Sequence, residues 1–93
     1  MKKIILKFGK ADTALAGFEY GLSVFNEQVK EKIEGEKEFE IIFPEEIELV
    51  ASSFVQGFFA YLIDSVGLSE IRKNIVIKAK NDDLTNKIKK YIY

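Results

Sequence analysis

The apolar positions of this chain change period several times, and each change marks a predicted element. Residues 2–8, KKIILKF, are a short Ile-rich run that predicts a first strand, ended by Gly9. Asp12 or Thr13 can cap the next element. Leu15, Phe18, Leu22, Phe25, Val29 and Ile33 then recur at spacings of three and four, which is one face of an amphipathic helix. Gly17 and Gly21 lie inside that pattern and cost helix stability. Either the helix starts late, near Gly21, or the glycines let another backbone approach closely. Gly35 is placed to stop the helix as a left-handed cap.

The period then falls to two. Phe39, Ile41 and Phe43 share one face of a second predicted strand, residues 37–43, and Pro44 removes a ladder donor at its end. Residues 45–50 read as an acidic link that carries apolar Ile47, Leu49 and Val50. Ser52-Ser53 opens a second helix, and Ser53 with Gln56 has capping-box spacing. From Phe54 to Val66 this helix has few polar positions, so it should be buried on most sides. Gly67 ends it, and Ser69 can cap one further turn, EIRKN. Residues 75–79 predict a third strand. Asn81-Asp82-Asp83 places a cap and acids at the start of a third helix with the inner stripe Leu84, Ile88 and Ile92. The order β-α-β-α-β-α predicts an α/β fold: a small single domain over residues 1–93, with helices layered on a mostly parallel sheet through right-handed crossovers. The expected core includes Ile5, Leu22, Phe25, Ile41, Phe54, Phe59, Leu62, Ile77 and Ile88.

Composition narrows the chemistry more than the fold. The chain has no His and no Cys. That removes disulfides, thiolate nucleophiles, Ser-His-Asp catalysis and the usual transition-metal ligands. No glycine-rich phosphate loop or dinucleotide fingerprint is present. An enzyme is therefore not expected, nor is a cofactor or a metal. A net charge of −1 gives no bulk attraction to nucleic acid. The apolar runs are too short to span a bilayer. Met1-Lys2-Lys3 before Ile4-Ile5-Leu6 briefly imitates a leader, but Lys7 and Lys10 interrupt it. A soluble cytoplasmic protein is expected, with neither nucleic acid nor membrane as partner.

The remaining candidates are charge clusters and hydroxyls. Glu34, Glu36, Glu38, Glu40, Glu45, Glu46 and Glu48 crowd one stretch. They read as a solvated surface, with a cation site or an acidic docking face as the functional alternatives, and their spacing matches no known metal loop. Arg72, Lys73, Lys78, Lys80, Lys87, Lys89 and Lys90 make the C-terminal quarter basic. Helix-end complementation and solubility account for much of this; a phosphate or nucleic-acid surface with Tyr91 and Tyr93 as stacking groups is the sharper alternative. Ser52 and Ser53 stand where a helix offers unpaired N–H groups and the positive end of its dipole. Such a place stabilises a phosphate. Capping competes with that role. The capping box favours it for Ser53, whereas either role suits Ser52, because a cap needs only one of the two hydroxyls.

The stretch from Ile41 to Leu62, IIFPEEIELVASSFVQGFFAYL, resembles the STAS-like domains of the bacterial group DUF4325. Their pattern is an apolar strand, a short acidic link, then S-S-F opening an apolar helix. Ser52, Ser53, Phe54, Phe59, Ala60 and Leu62 fall on it, as do Gly67, Leu68 and Asn81-Asp82-Asp83-Leu84. The resemblance implies a non-enzymatic regulatory module that binds a protein partner. In related anti-sigma factor antagonists, a serine at a helix start is phosphorylated by a histidine-kinase-type ATPase, which switches the partner. That position is Ser52 here, with Ser53 beside it as the second candidate phosphoacceptor. Ala51 and Phe54 stand where the related motif has Asp and Gly. The implied partner, a kinase-type ATPase or an anti-sigma-like protein, would meet Glu45, Glu46, Glu48, Ser52, Ser53, Gln56 and Gly57. Two other readings are open. One is a small-molecule or nucleotide binder with a pocket between the helix start and the Gly9–Gly21 loop. The other is a homo-oligomer joined through Tyr91, Tyr93 or a Phe18–Phe25 face.

Overall fold

Every strand pairing in the computed structural model, which describes residues 1–92, is parallel. The elements are β1 (Lys2–Ile5), β2 (Ala14–Leu15), α1 (Phe18–Gln28), β3 (Phe39–Ile42), β4 (Leu49–Val50), α2 (Ser52–Asn74), β5 (Ile75–Lys78) and α3 (Asp82–Ile92). The main sheet has the order β1-β3-β5, and β2 and β4 form a separate two-stranded ribbon. The protein is a small α/β domain.

That strand order explains the layering. Successive crossovers step in one direction across the sheet, so right-handed connections put α1 and α2 on the same face. Ile4, Ile41 and Ile77 share one register row and are buried under the helices. The adjacent row, Ile5, Ile42 and Lys78, belongs to the other face, where Ile5 is 57% exposed. The core expectation for Ile5 is therefore corrected. Of two neighbouring isoleucines only one can face inward in a strand, and here Ile4 does, followed by Leu6 beyond the strand. Leu22 is half-buried rather than core. The other expected core residues, Phe25, Ile41, Phe54, Phe59, Leu62, Ile77 and Ile88, are buried.

The helix layer is built around aromatic side chains. Phe58 lies 5.6 Å from Phe25, 5.9 Å from Phe54 and 4.9 Å from Phe59, measured between ring centroids. The crossing of α1 and α2 is set by two glycines. A Cβ on Gly21 would overlap the Phe54 carbonyl oxygen and lie 2.7 Å from the Phe58 nitrogen. A Cβ on Gly57 would overlap the Phe18 carbonyl oxygen and lie 2.8 Å from its carbon. The second alternative for Gly21 thus holds: the helix begins at Phe18, and the glycine admits another backbone.

Several boundaries differ from expectation. Leu15 belongs to β2, not to the first helix, and pairs with Val50 at the end of the acidic link. Asp12 does not cap that helix; its Oδ2 accepts the Gly9 N–H at 2.9 Å. α1 stops at Gln28, and turns continue to Gly35, whose φ of 76° is left-handed but no longer adjoins the helix. Gly67 breaks α2 with φ 86° and ψ 162°, so the 68–74 piece is a distinct helical segment, as its glycine predicts. α3 agrees with expectation. Asn81 Oδ1 caps it by accepting the Leu84 N–H at 2.8 Å, and Leu84, Ile88 and Ile92 are its buried stripe.

Candidate functional site: the start of α2

β4 delivers the chain to α2 at the C-terminal edge of the parallel strands, the edge where open α/β sheets place their ligands. Ala51, extended at φ −75° and ψ 152°, is the N-cap, and its side chain has no hydroxyl to cap with. The first intrahelical bond runs from the Val55 N–H to the Ala51 carbonyl at 3.2 Å. The N–H groups of residues 52–54 thus precede the hydrogen-bonded ladder and face the site.

The two serines have different tasks. Ser53 does not cap α2, and its capping box with Gln56 does not form: α2 has no side-chain cap. Its Oγ instead accepts the Gly17 N–H at 3.0 Å in a part-buried bond. Gly17 is the N-cap of α1 at φ 102°, so this bond ties the starts of the two helices together. Ser52, one residue earlier, is exposed, and its hydroxyl makes no hydrogen bond among the described residues.

The surroundings combine apolar and acidic groups. Phe18, directly after Gly17, is 45% exposed, and Leu49, three residues before Ser52, is 59% exposed. Glu45, Glu46 and Glu48 are exposed along the link, with Ile47 buried between them as its anchor. Glu48 Oε1 receives Lys80 Nζ at 3.4 Å, so the acidic link and the basic C-terminal quarter meet at the surface. Among the described residues, no group of three or more carboxylates is arranged to hold a metal ion. Tyr20 packs edge-on against Phe54 at 5.5 Å and Phe8 at 6.4 Å. Burial, then the Asp12 and Glu27 charges, push its phenol above the usual value.

Of the partner-facing candidates, Ser52, Gln56 and the three link glutamates are exposed. Gly57 is not available: it is buried against the Phe18 backbone and serves the helix crossing. Phe18, named in the sequence only as part of an oligomer face, and Leu49, absent from the sequence-based candidates, are exposed apolar groups of this edge. Of the oligomer surfaces, a Phe18–Phe25 face does not exist, because Phe25 is fully buried. Tyr91 is half-buried, and Tyr93 lies outside the described residues. A crevice lies at the opposite edge of the sheet, and its lining includes no residue of the Gly9–Gly21 loop. No helix among the described residues is long and apolar enough to cross a membrane. Comparisons with protein-family models, with curated proteins and with solved structures find no match to this chain.

Proposed function

We propose that this protein is a STAS-like regulatory module that docks a partner protein at the start of α2, in the cytoplasm, with Ser52 as a phosphate-controlled element. The observation that carries the reading is the division between the two serines. Ser53 is consumed by the Gly17 bond, whereas Ser52 presents an exposed hydroxyl at the first residue of a long helix. A phosphate on Ser52 would gain from the helix dipole and the unpaired N–H groups, typically about 1 kcal/mol for a surface site. It would also add charge beside Glu45, Glu46 and Glu48, and so repel a partner that tolerates the unmodified edge.

Phe18 and Leu49 supply the apolar contacts that interface centres use, and the link glutamates supply a polar rim. The partner suited to this edge has a shallow apolar recess bordered by basic groups. A kinase-type ATPase or an anti-sigma-like protein, as the resemblance implies, is the class to test. A photo-crosslinking residue at Gln56, in the full chain expressed in its native host, should capture one such protein. The Ser52→Glu variant should lose that product, and Ser52→Ala should keep it. Equal capture by both variants refutes phosphate control. Capture lost in neither Phe18→Ser nor Leu49→Ser refutes docking at this edge.

A further inference from the structure

At the opposite edge of the sheet is a crevice of about 340 Å³, bounded by the first residues of β3 and β5, the turns after α1 and the second half of α2. That volume lies in the range of small-molecule sites, roughly 300–1,000 Å³. Its floor is Ile33, Phe39, Leu62 and Ile75. Phe39, Leu62 and Ile75 keep 3%, 4% and 7% exposure, whereas Phe54, Phe58 and Phe59 keep none. On the walls Tyr61 and Val66 are 43% and 46% exposed. Apolar surface is thus left wet inside a concavity, and a ligand that covered it would be held by the hydrophobic effect.

The mouth carries charge of both signs in unequal amounts. The break at Gly67 brings Glu70 and Asn74, one helical turn apart, to one side. Glu70 is half-buried, and Asn74 Nδ2 donates to its Oε2 at 2.6 Å, leaving Oε1 without a partner among the described residues. Glu34 and Glu36 stand on the turns, with Lys30 and Lys37 as the only cations of the lining. Lys30 is already engaged: its Nζ lies 4.8 Å from the centroid of the Tyr61 ring. The wall therefore holds an ammonium on an aromatic face, supplied by the chain itself.

We propose that this crevice binds a small amphipathic amine. Its apolar body would lie on the Ile33–Phe39–Leu62–Ile75 floor. Its ammonium would displace Lys30 from the Tyr61 face at the mouth and turn toward Oε1 of Glu70. An anionic head would instead meet three carboxylates and would have to draw Lys30 off Tyr61. The site is separate from the start of α2, so it stands or falls independently of the Ser52 reading.

Amide NMR titration of the isotope-labelled full chain tests this with three probes that share one apolar body: phenethylammonium, phenethyl alcohol and hydrocinnamate. Saturable shifts should centre on Ile33, Phe39, Leu62 and Ile75. The ammonium should bind about tenfold more tightly than the alcohol, the effect of one cation–π contact plus one charge-assisted hydrogen bond. Glu70→Gln should weaken the ammonium, leaving it only the cation–π part of its advantage, without changing the alcohol's affinity. Lys30→Ala should tighten the ammonium by vacating Tyr61. The proposal is overturned if no probe gives saturable shifts there, or if hydrocinnamate binds as tightly as the ammonium. It is also overturned if Glu70→Gln, with an otherwise unchanged amide spectrum, leaves ammonium affinity intact.

Discussion

Replacing Gly57 by Ala sets helix propensity against packing, and the two predict opposite signs. Propensity favours the change: alanine in a helix interior is better than glycine by about 1 kcal/mol. Packing opposes it. The new Cβ would overlap the Phe18 carbonyl oxygen and lie 2.8 Å and 3.0 Å from the Phe18 carbonyl carbon and Cα. All three are backbone atoms, so no side chain can rotate aside, and α1 must withdraw from α2. A gap of roughly 0.5–1 Å already forfeits a quarter to a half of the dispersion well at each contact. Overpacking costs about 1–3 kcal/mol in general, and a backbone-on-backbone clash belongs at the top of that range. The net expectation is a loss of about 2 kcal/mol, which for a domain of this size lowers Tm by roughly 8–16 °C. Thermal and urea unfolding followed by circular dichroism measure this. Gly21→Ala should behave similarly, because its Cβ meets the Phe54 and Phe58 backbone at the same crossing. The double variant should lose less than the sum, since the first alanine already separates the helices. A Tm for Gly57→Ala at or above that of the unaltered chain would refute the close-crossing account.

The serines should separate in the same assay. Ser53→Ala leaves the part-buried Gly17 N–H without its acceptor and should cost about 1–2 kcal/mol, whereas Ser52→Ala should stay within about 0.5 kcal/mol of the unaltered chain. Asn81→Ala removes the α3 cap and should cost about 1 kcal/mol in urea unfolding. Tyr20 is raised chiefly by burial, so its folded-state pKa exceeds its unfolded one. Its contribution to stability is therefore complete below the unfolded value of 10.0 and is lost as pH rises through the folded value. Ultraviolet titration of the phenolates should show a late component that Tyr20→Phe removes.

The apolar pattern is sufficient for the three helices and three main strands: α1 and α3 each bury one face and write a helical period into the sequence, whereas α2, buried on most sides, shows as a long apolar run. The features that stay illegible have identifiable causes. β2 and β4 are two residues each, too short to carry a period, and Leu15 falls by coincidence three residues before Phe18, in step with the helix. Lys2 to Leu6 holds two adjacent isoleucines, and only the position of the helix layer decides which one is buried. The Ser53–Gln56 spacing matches a capping box, but a helix starting at Ser52 puts Ser53 beyond the cap. Its true partner is the Gly17 N–H, 36 residues away, a contact that no local pattern contains. Gly21 signals a close approach, yet its counterpart Gly57 sits in an apolar helix with no mark to distinguish it from a propensity defect. Among the site residues, Ser52 is visible through its neighbours. Leu49 is hidden because it reads as an interior position of an apolar pattern, and Phe18 shows in the sequence only as part of an oligomer face with Phe25, which is buried.

In the proposed switch, engaging Ser53 in the helix–helix tie leaves Ser52 as the hydroxyl open to modification. Intact mass and peptide fragmentation of the chain purified from its native host test it most directly. The expected result is a phosphate on Ser52 and none on Ser53. Phosphate on Ser53, or none on either serine across growth conditions, would contradict it.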